Sequence, residues 1–120
     1  MSNPIWTPTQ LSRRHQVESG LTVVASLRGG VDAALIDWAT QAGLAVRIDR
    51  RTPWGNPFTM KGEGDRAAVC DRFARYLPTR PDLMGQLATL KGKVLICWCH
   101  PAQCHGDHLA TLADGQEARP

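Results

Sequence analysis

The sequence predicts an α/β domain in which helices flank a mainly parallel sheet of three to five strands. Three short apolar segments, at 21–27, 44–49 and 93–98, are rich in β-branched residues, as buried strands are. Segments with helical spacing of their apolar residues separate these strands. Strands joined through helices need right-handed crossovers, which make the strands parallel. We therefore expect a small Rossmann-like domain of two or three layers.

Length and composition limit the function classes. The 120 residues are enough for one domain and too few for separate cofactor and substrate domains. No apolar run approaches the roughly 20 residues that span a bilayer, and residues 1–4 do not begin a secretion signal, so we expect a cytoplasmic protein. A net charge of +3 suits an anionic ligand but does not by itself indicate nucleic acid binding.

The N-terminal region, residues 1–20, is predicted to be an arm followed by a short polar helix. Prolines favour the arm over residues 1–8, and residues 9–19 form the helix, which ends before Gly20. The run Arg13-Arg14-His15 is expected to face solvent, with a nucleic acid contact as the alternative. The α/β domain is expected over residues 21–115, with residues 116–120 as a disordered tail.

The first helix of the domain is predicted over 31–42, between the first two strands. Leu35, Trp38 and Ala39 share one of its faces, and Gly43 stands where its C-terminal cap belongs. Three strands make a small sheet, so an additional edge strand is expected from residues 1–20 or 56–61.

Two more helices are predicted between the second and third strands. Asp65 is placed to cap the first of them, which ends near residue 77. Pro81 suits the first turn of the second, whose Leu83, Leu87 and Leu90 face inward. The strand at 93–98 is expected to be the most buried, and the last helix covers roughly residues 105–113.

Loops follow the three strands at 26–30, 50–58 and 97–108. In a parallel sheet, the loops after the strands gather at the carboxyl edge, where ligands bind. We therefore expect the three loops to surround one crevice.

The first of these loops has features that bind anions. Gly29 and Gly30 let backbone N–H groups approach a ligand, and the helix that follows directs its positive end there. Arg28 adds a fixed positive charge. The alternative is a plain glycine turn, because neither a dinucleotide fingerprint nor a Walker motif is present.

The second loop predicts a nucleotide-type pocket. Arg50 and Arg51 can clamp a phosphate by bidentate hydrogen bonds. Trp54 can stack on a base, while Gly55 and Asn56 tolerate left-handed backbone angles. The alternative is that Trp54 covers the core and the arginines are solvated.

The third loop holds three of the four cysteines and allows three interpretations. One is a zinc site, although the ligand spacing is not a standard one; its ligands would be Cys97, Cys99, Cys104 and His105. Another is a metal-free site with Cys104 as nucleophile, His105 as base and Asp107 as orienter or general acid–base. There the helix N-terminus would lower the pKa of the Cys104 thiol. The third is that the cysteines are buried and the helix start is merely capped.

Two motifs give the chain a family resemblance. W-G-N-P-F at 54–58 and C-W-C-H-P-A-Q-C-H-G-D at 97–107 resemble the bacterial and phage family of unknown function numbered 4326. The resemblance covers roughly residues 44–113 and implies a small intracellular domain, carried by mobile elements, that acts on nucleotides or nucleic acids. The motif residues that carry over are Trp54, Gly55, Asn56, Pro57, Phe58, Cys97, Trp98, Cys99, Pro101, Cys104, His105, Gly106 and Asp107.

The expected function is binding of a nucleotide or other phosphate-bearing ligand at the carboxyl edge. Hydrolysis of that ligand, at an N-glycosidic or phosphate ester bond, would be carried by Cys104, His105 and Asp107. The ligand contacts would come from Arg28, Gly29, Gly30, Arg50, Arg51, Trp54, Gly55 and Asn56. The alternative is a zinc-stabilised module that binds nucleic acid or protein, such as a phage-encoded regulator or inhibitor. No membrane partner is expected.

Overall fold

A computed structural model describes residues 5–99, 102 and 104–116. The predicted strand break at Pro101, the start of the arm at 1–4 and the tail at 117–120 lie outside these residues. The helices are α1 (Pro8–Glu18), α2 (Ala33–Gln41), α3 (Arg66–Tyr76), α4 (Pro81–Met84) and α5 (His105–Asp114). The strands are β1 (Val23–Ser26), β2 (Ala45–Arg47) and β3 (Val94–Cys97). Within this part of the chain, no helix is long and apolar enough to cross a membrane.

The three strands form an all-parallel sheet in the order β1-β3-β2. Val94 of β3 pairs with Val23 on one side and with Ala45 on the other. The last strand along the chain is thus the central one, and every residue of β3 is buried, as predicted. The α/β architecture predicted from the sequence is confirmed.

The expected additional edge strand was wrong for the described residues. Residues 8–18 are helical and 56–61 contain no strand. The backbone N–H of Phe58 is donated to Asn56 Oδ1 at 2.9 Å, and Arg50 Nη2 donates to the Phe58 carbonyl at 3.1 Å. Because side chains already satisfy these backbone groups, the segment forms a loop rather than a strand.

Helices cover both faces of the sheet, so the domain has three layers. Alternate strand residues point to opposite faces. Val24, Leu95 and Cys97 belong to a core under α3, α4 and α5, whereas Val23 and Ile96 belong to a second core under α1 and α2. Since both faces are covered, the strands are apolar throughout rather than alternating.

Two arginines of the N-terminal helix contact other parts of the protein instead of lying free in solvent. The expectation that this run faces solvent was wrong for Arg13, whereas Arg14 is partly exposed and His15 is exposed. Arg13 pairs with the buried Asp32 and donates to the Val24 carbonyl at 2.8 Å. The Arg14 guanidinium lies 5.2 Å and 4.8 Å from the ring centres of two tryptophans, at positions 6 and 38. Planar guanidinium groups suit such half-buried places because they stack and hydrogen-bond at once.

Two predicted helices differ in detail from the structure. The helix expected from Pro81 is α4 followed by Gly85 and a short 3₁₀ segment, Leu87–Leu90. The leucines predicted to face inward are all buried. Asp65 stands at the N-cap position of α3, but its carboxylate accepts the Lys61 N–H at 3.0 Å instead of capping the helix.

Candidate functional site

The three strand-following loops begin side by side at the carboxyl edge of the sheet. Leu27 N–H donates to the Cys97 carbonyl at 2.9 Å, which joins the ends of β1 and β3. Ile48 N–H donates to the Ile96 carbonyl at 3.0 Å, which joins the ends of β2 and β3. The parallel topology therefore brings the loops to one edge, as the sequence predicted.

A pocket of about 540 Å³ opens at this edge, and its wall is mostly apolar. It lies between the loop after β2, the first half of α3 and the segment that joins β3 to α5. The described residues that line it are Asp49, Arg50, Arg51, Asn56, Phe58, Thr59, Met60, Arg66, Val69, Cys70, Cys97, Trp98, Cys99, Cys104 and His105. All four cysteines of the chain are in this set.

In the part of the chain that the structure describes, two of the three loops contribute to the pocket. Of the sequence-predicted ligand residues, Arg50, Arg51 and Asn56 line it, and so do Cys104 and His105 of the predicted reactive group. Among the described lining residues, none comes from the first loop. The predicted ligand and catalytic residues outside the lining are Arg28, Gly29, Gly30, Trp54, Gly55 and Asp107.

Two backbone donors of the first loop, the N–H groups of Ser26 and Arg28, bond within the protein itself. The buried carboxylate of Asp32 accepts the Ser26 N–H at 2.7 Å and pairs with Arg13. Ser26 Oγ in turn accepts the Arg28 N–H at 3.1 Å, while the Arg28 side chain is exposed. An internal anion therefore occupies the region before α2 that the sequence assigned to a ligand.

The W-G-N-P-F motif builds the second loop. Trp54 is buried in the core. A Cβ on Gly55 would lie 2.6 Å from the Arg50 Cα and 2.7 Å from the Asp49 carbonyl oxygen, so only glycine fits there. Asn56 is buried, and its Nδ2 donates to the Val69 carbonyl of α3 at 3.3 Å. The motif thus fixes the loop against α3 and places its arginines at the mouth of the pocket.

Two groups at the pocket were not singled out by the sequence. Asp49 follows β2, and the Arg47 side chain, hydrogen-bonded to it, lowers the pKa of this carboxyl, with a smaller contribution from the Trp98 indole. Among the described residues, the buried Asp49 Oδ1 has no hydrogen-bond partner. Arg66, in the first turn of α3, lies beside Cys99. The position of Asp49 directly after a strand was a signal that could have found it.

The start of α5 is a capping box made by two of the predicted reactive residues. Cys104 is the N-cap, and its sulfur accepts the Gly106 N–H at 3.4 Å. Asp107 Oδ2 accepts the Cys104 N–H at 3.1 Å. The Asp107 carboxylate therefore satisfies the helix start, and the side chain lies outside the pocket wall.

His105 joins the two loops that form the pocket. Its Nε2 lies 2.8 Å from the Ile48 carbonyl oxygen, so Nε2 carries the proton and donates it. Its Nδ1 is then unprotonated and faces the Cys104 sulfur at 3.5 Å. Burial of the ring lowers the pKa of His105 below its usual value of 6.5, so the imidazole is neutral at pH 7.

The pKa values of two thiols in the cluster shift in opposite directions. Hydrogen bonds from the Cys104 and Cys97 thiols, with help from Arg66, lower the pKa of Cys99 to about 2. The neighbouring Cys97 and Cys99 sulfurs, together with burial, raise the pKa of Cys104. The expectation that the helix N-terminus lowers the pKa of Cys104 was therefore wrong, since two neighbouring sulfurs and burial outweigh one backbone N–H.

The zinc interpretation gains no support from the geometry of the described residues. Among them, no group of three or more His, Cys, Asp or Glu side chains is arranged to hold a metal ion. His105, the proposed nitrogen ligand, already has Nε2 bonded to a carbonyl and Nδ1 against a thiol.

Comparison with known proteins identifies the family. Residues 36–115 match the profile "Domain of unknown function (DUF4326)". The chain belongs to the DUF4326 family. The match includes β2, β3, the pocket and all helices after α2, so the family region of this DUF4326 domain contains the whole candidate site.

Two relatives of the DUF4326 domain are viral. "Uncharacterized 12.4 kDa protein in nrdA-td intergenic region" of Enterobacteria phage T4 is 34% identical over 73 residues, which are 58% of this chain and 67% of the phage protein. "Uncharacterized protein R718" of Acanthamoeba polyphaga mimivirus is 39% identical over 46 residues, 38% of this chain and 35% of the viral protein. The match thus spans about a third of the mimivirus protein. No solved structure matches the chain.

Proposed function

We propose that this DUF4326 domain binds a nucleotide or another phosphate-bearing small molecule in the pocket at the carboxyl edge of its sheet. The supporting observation is the combination of a largely apolar cavity of about 540 Å³ with Arg50, Arg51 and Arg66 in its wall. Cavities of roughly 300–1,000 Å³ hold small ligands. Arginines bind phosphate by charge-assisted hydrogen bonds, and the apolar wall takes a ring.

The three arginines have different roles in this proposal. Arg50 is bonded to the Phe58 carbonyl and Arg66 lies beside Cys99, so both are partly engaged within the protein. Arg51 is exposed at the rim. It is therefore the arginine best placed to contact phosphate, while Phe58 and the half-exposed Trp98 flank the ring of the ligand.

The test is a calorimetric titration with thymidine and adenosine monophosphates, the matching nucleosides and inorganic phosphate. We expect the monophosphates to bind more tightly than the nucleosides or phosphate alone. Arg51→Ala should weaken monophosphate binding roughly tenfold, since a charge-assisted hydrogen bond contributes about 1.5 kcal/mol or more.

Arg28→Ala is the matched control. It also removes one exposed positive charge from the carboxyl edge, but from a residue outside the pocket wall. It should leave the affinity unchanged. Equal losses in the two variants would indicate a general charge effect and refute a phosphate contact at Arg51. If no monophosphate bound at millimolar concentration, the proposed function itself would be rejected.

A further inference from the structure

The floor of the pocket contains a cluster of three thiols. Cys97 ends β3, Cys99 follows it by two positions, and Cys104 caps α5. All three line the pocket, and their sulfurs are close enough to hydrogen-bond one another. Cys97 is 1% exposed and Cys104 is 3% exposed, whereas Cys99 is only partly buried. A molecule in the pocket therefore reaches the Cys99 sulfur first.

The surroundings of Cys99 favour attack by its sulfur. Two neighbouring thiols donate hydrogen bonds to it and the Arg66 guanidinium lies beside it, and these contacts lower the pKa of Cys99. A thiolate, not a thiol, is the nucleophile in disulfide exchange. Cys104 has the opposite character, because the neighbouring Cys97 and Cys99 sulfurs, together with burial, raise the pKa of its thiol.

Cys104 has a second proton acceptor in reach. The unprotonated Nδ1 of His105 lies 3.5 Å from its sulfur. Once Cys99 is covalently bonded to another sulfur, it no longer accepts a hydrogen bond from Cys104 and no longer opposes a charge there. The Cys104 proton can then pass to His105, and a second thiolate forms next to Cys99.

We propose that Cys99 and Cys104 form a thiol–disulfide exchange pair that reduces a small disulfide bound in the pocket. The arginines in the wall favour a disulfide that carries carboxylates. This chemistry goes beyond the proposed binding function, and it does not require a nucleotide.

The exchange takes place in two balanced steps. The Cys99 thiolate attacks one sulfur of the substrate RSSR, forms a Cys99–SR mixed disulfide and releases RS⁻. Cys104 then gives its proton to His105 Nδ1 and attacks the Cys99 sulfur, which forms the Cys99–Cys104 disulfide and displaces the second RS⁻. That thiolate takes the proton. The two cysteines are oxidised by two electrons, and the substrate disulfide becomes one thiol and one thiolate.

The first experiment uses the unmodified protein. We would incubate it with limiting oxidised glutathione, block free thiols with one alkylating reagent, reduce, and label the released thiols with a second reagent. Tandem mass spectrometry should find the second label on Cys99 and Cys104 together. Cys70, which also lines the pocket, is the internal control and should carry only the first label. Equal oxidation of Cys70 and Cys99, or oxidation of Cys97 with Cys99, would overturn the assignment.

The second experiment counts thiolate released from dithiobis(nitrobenzoate), a dicarboxylate disulfide, supplied at one equivalent. The native protein should release two equivalents of coloured thiolate and end with an internal disulfide. Cys104→Ser should release one and retain a mixed disulfide at Cys99, and Cys70→Ser should behave like the native protein.

Cys99→Ser should release the coloured thiolate much more slowly than the native protein. A Cys99→Ser variant that reacts as fast as the native protein would refute the proposal. So would a Cys104→Ser variant that still closes an internal disulfide. Because Cys104 caps α5, the melting of Cys104→Ser is followed by circular dichroism, and the labelling of the unmodified protein decides the question if that variant does not fold.

Discussion

His105 Nε2 donates a hydrogen bond to the carbonyl oxygen of Ile48 across 2.8 Å and 57 positions of sequence. The bond joins the loop after β2 to the first turn of α5, and these are two walls of the pocket. It also fixes the tautomer of the imidazole, so that Nδ1 faces the Cys104 thiol. The geometry of the pocket thus depends on a neutral, buried histidine.

Acidification should weaken the fold through His105. Burial lowers the pKa of His105 in the folded state below 6.5, so the unfolded chain takes up a proton at a higher pH than the folded chain does. Stability from this group is therefore complete above pH 6.5 and is lost as the pH falls below it, by up to about 1.4 kcal/mol per pH unit, until the folded pKa is reached. Urea unfolding between pH 7.5 and 5 measures this loss.

His105→Gln provides the comparison for the pH series. The amide does not titrate, so the variant should be less stable at pH 7.5 but should show a smaller decrease toward pH 5 than the native protein. Parallel curves for the two proteins would show that His105 is not the group responsible.

Helix α5 packs tightly against the sheet at Gly106. A Cβ there would lie 2.7 Å from the Ile48 Cδ1 and 3.3 Å from both methyl groups of Val24. Gly106→Ala should therefore destabilise the protein by about 1–3 kcal/mol, because the core has to move to admit one methyl group. Gly64→Ala is the control, since a Cβ at Gly64 meets nothing within 4 Å. Equal midpoints of chemical unfolding for the two variants would contradict this packing.

Asp107 is expected to contribute to stability rather than to ligand binding. Its carboxylate accepts the Cys104 N–H at the start of α5, and Asp107→Ala should cost about 1 kcal/mol, or roughly 4–8 °C in melting temperature. The affinity for a nucleoside monophosphate should be unchanged. Loss of that affinity with unchanged melting would instead assign Asp107 to the ligand.

The buried ion pair between Arg13 and Asp32 should be costly to break. Arg13→Ala leaves the Asp32 carboxylate, which is only 5% exposed, without its cation, and the expected loss is about 3–5 kcal/mol. Arg75→Ala breaks an ion pair with Asp71 in which both side chains are mostly exposed, and it should cost less than about 0.5 kcal/mol. Denaturant unfolding of both variants tests the difference. Similar losses would mean that α1 is not anchored through Asp32.

Much of the fold was predictable because buried segments have a recognisable pattern of apolar residues in the sequence. The apolar β-branched segment that became β3 was identified as the most buried strand, and Leu83, Leu87 and Leu90 were correctly placed inward. The C-terminal boundary of α4 was not predicted correctly, because Gly85 interrupts a helix that apolar spacing alone would continue.

The candidate site was predictable only in part. Residues of the loops that follow β2 and β3, such as Arg51 and Cys99, line the pocket because parallel topology fixes where strand ends meet. The side chains of Trp54 and Asp107 are also of types that bind ligands, but Trp54 lies in the core and Asp107 caps a helix. Residue type does not distinguish a ligand contact from a structural role, since the same side chain can serve in either.

The sequence by itself determined the order of the elements, the parallel sheet and the edge at which the loops gather. Only the tertiary structure decided which side chains share a cavity and in which direction the pKa of each thiol shifts. The physical reason is how far apart in the sequence the interacting residues lie. Apolar periodicity can be recognised from residues close together in the sequence. The environment of Cys99, in contrast, depends on Arg66 and Cys104, which belong to other elements and contact it only after the chain has folded.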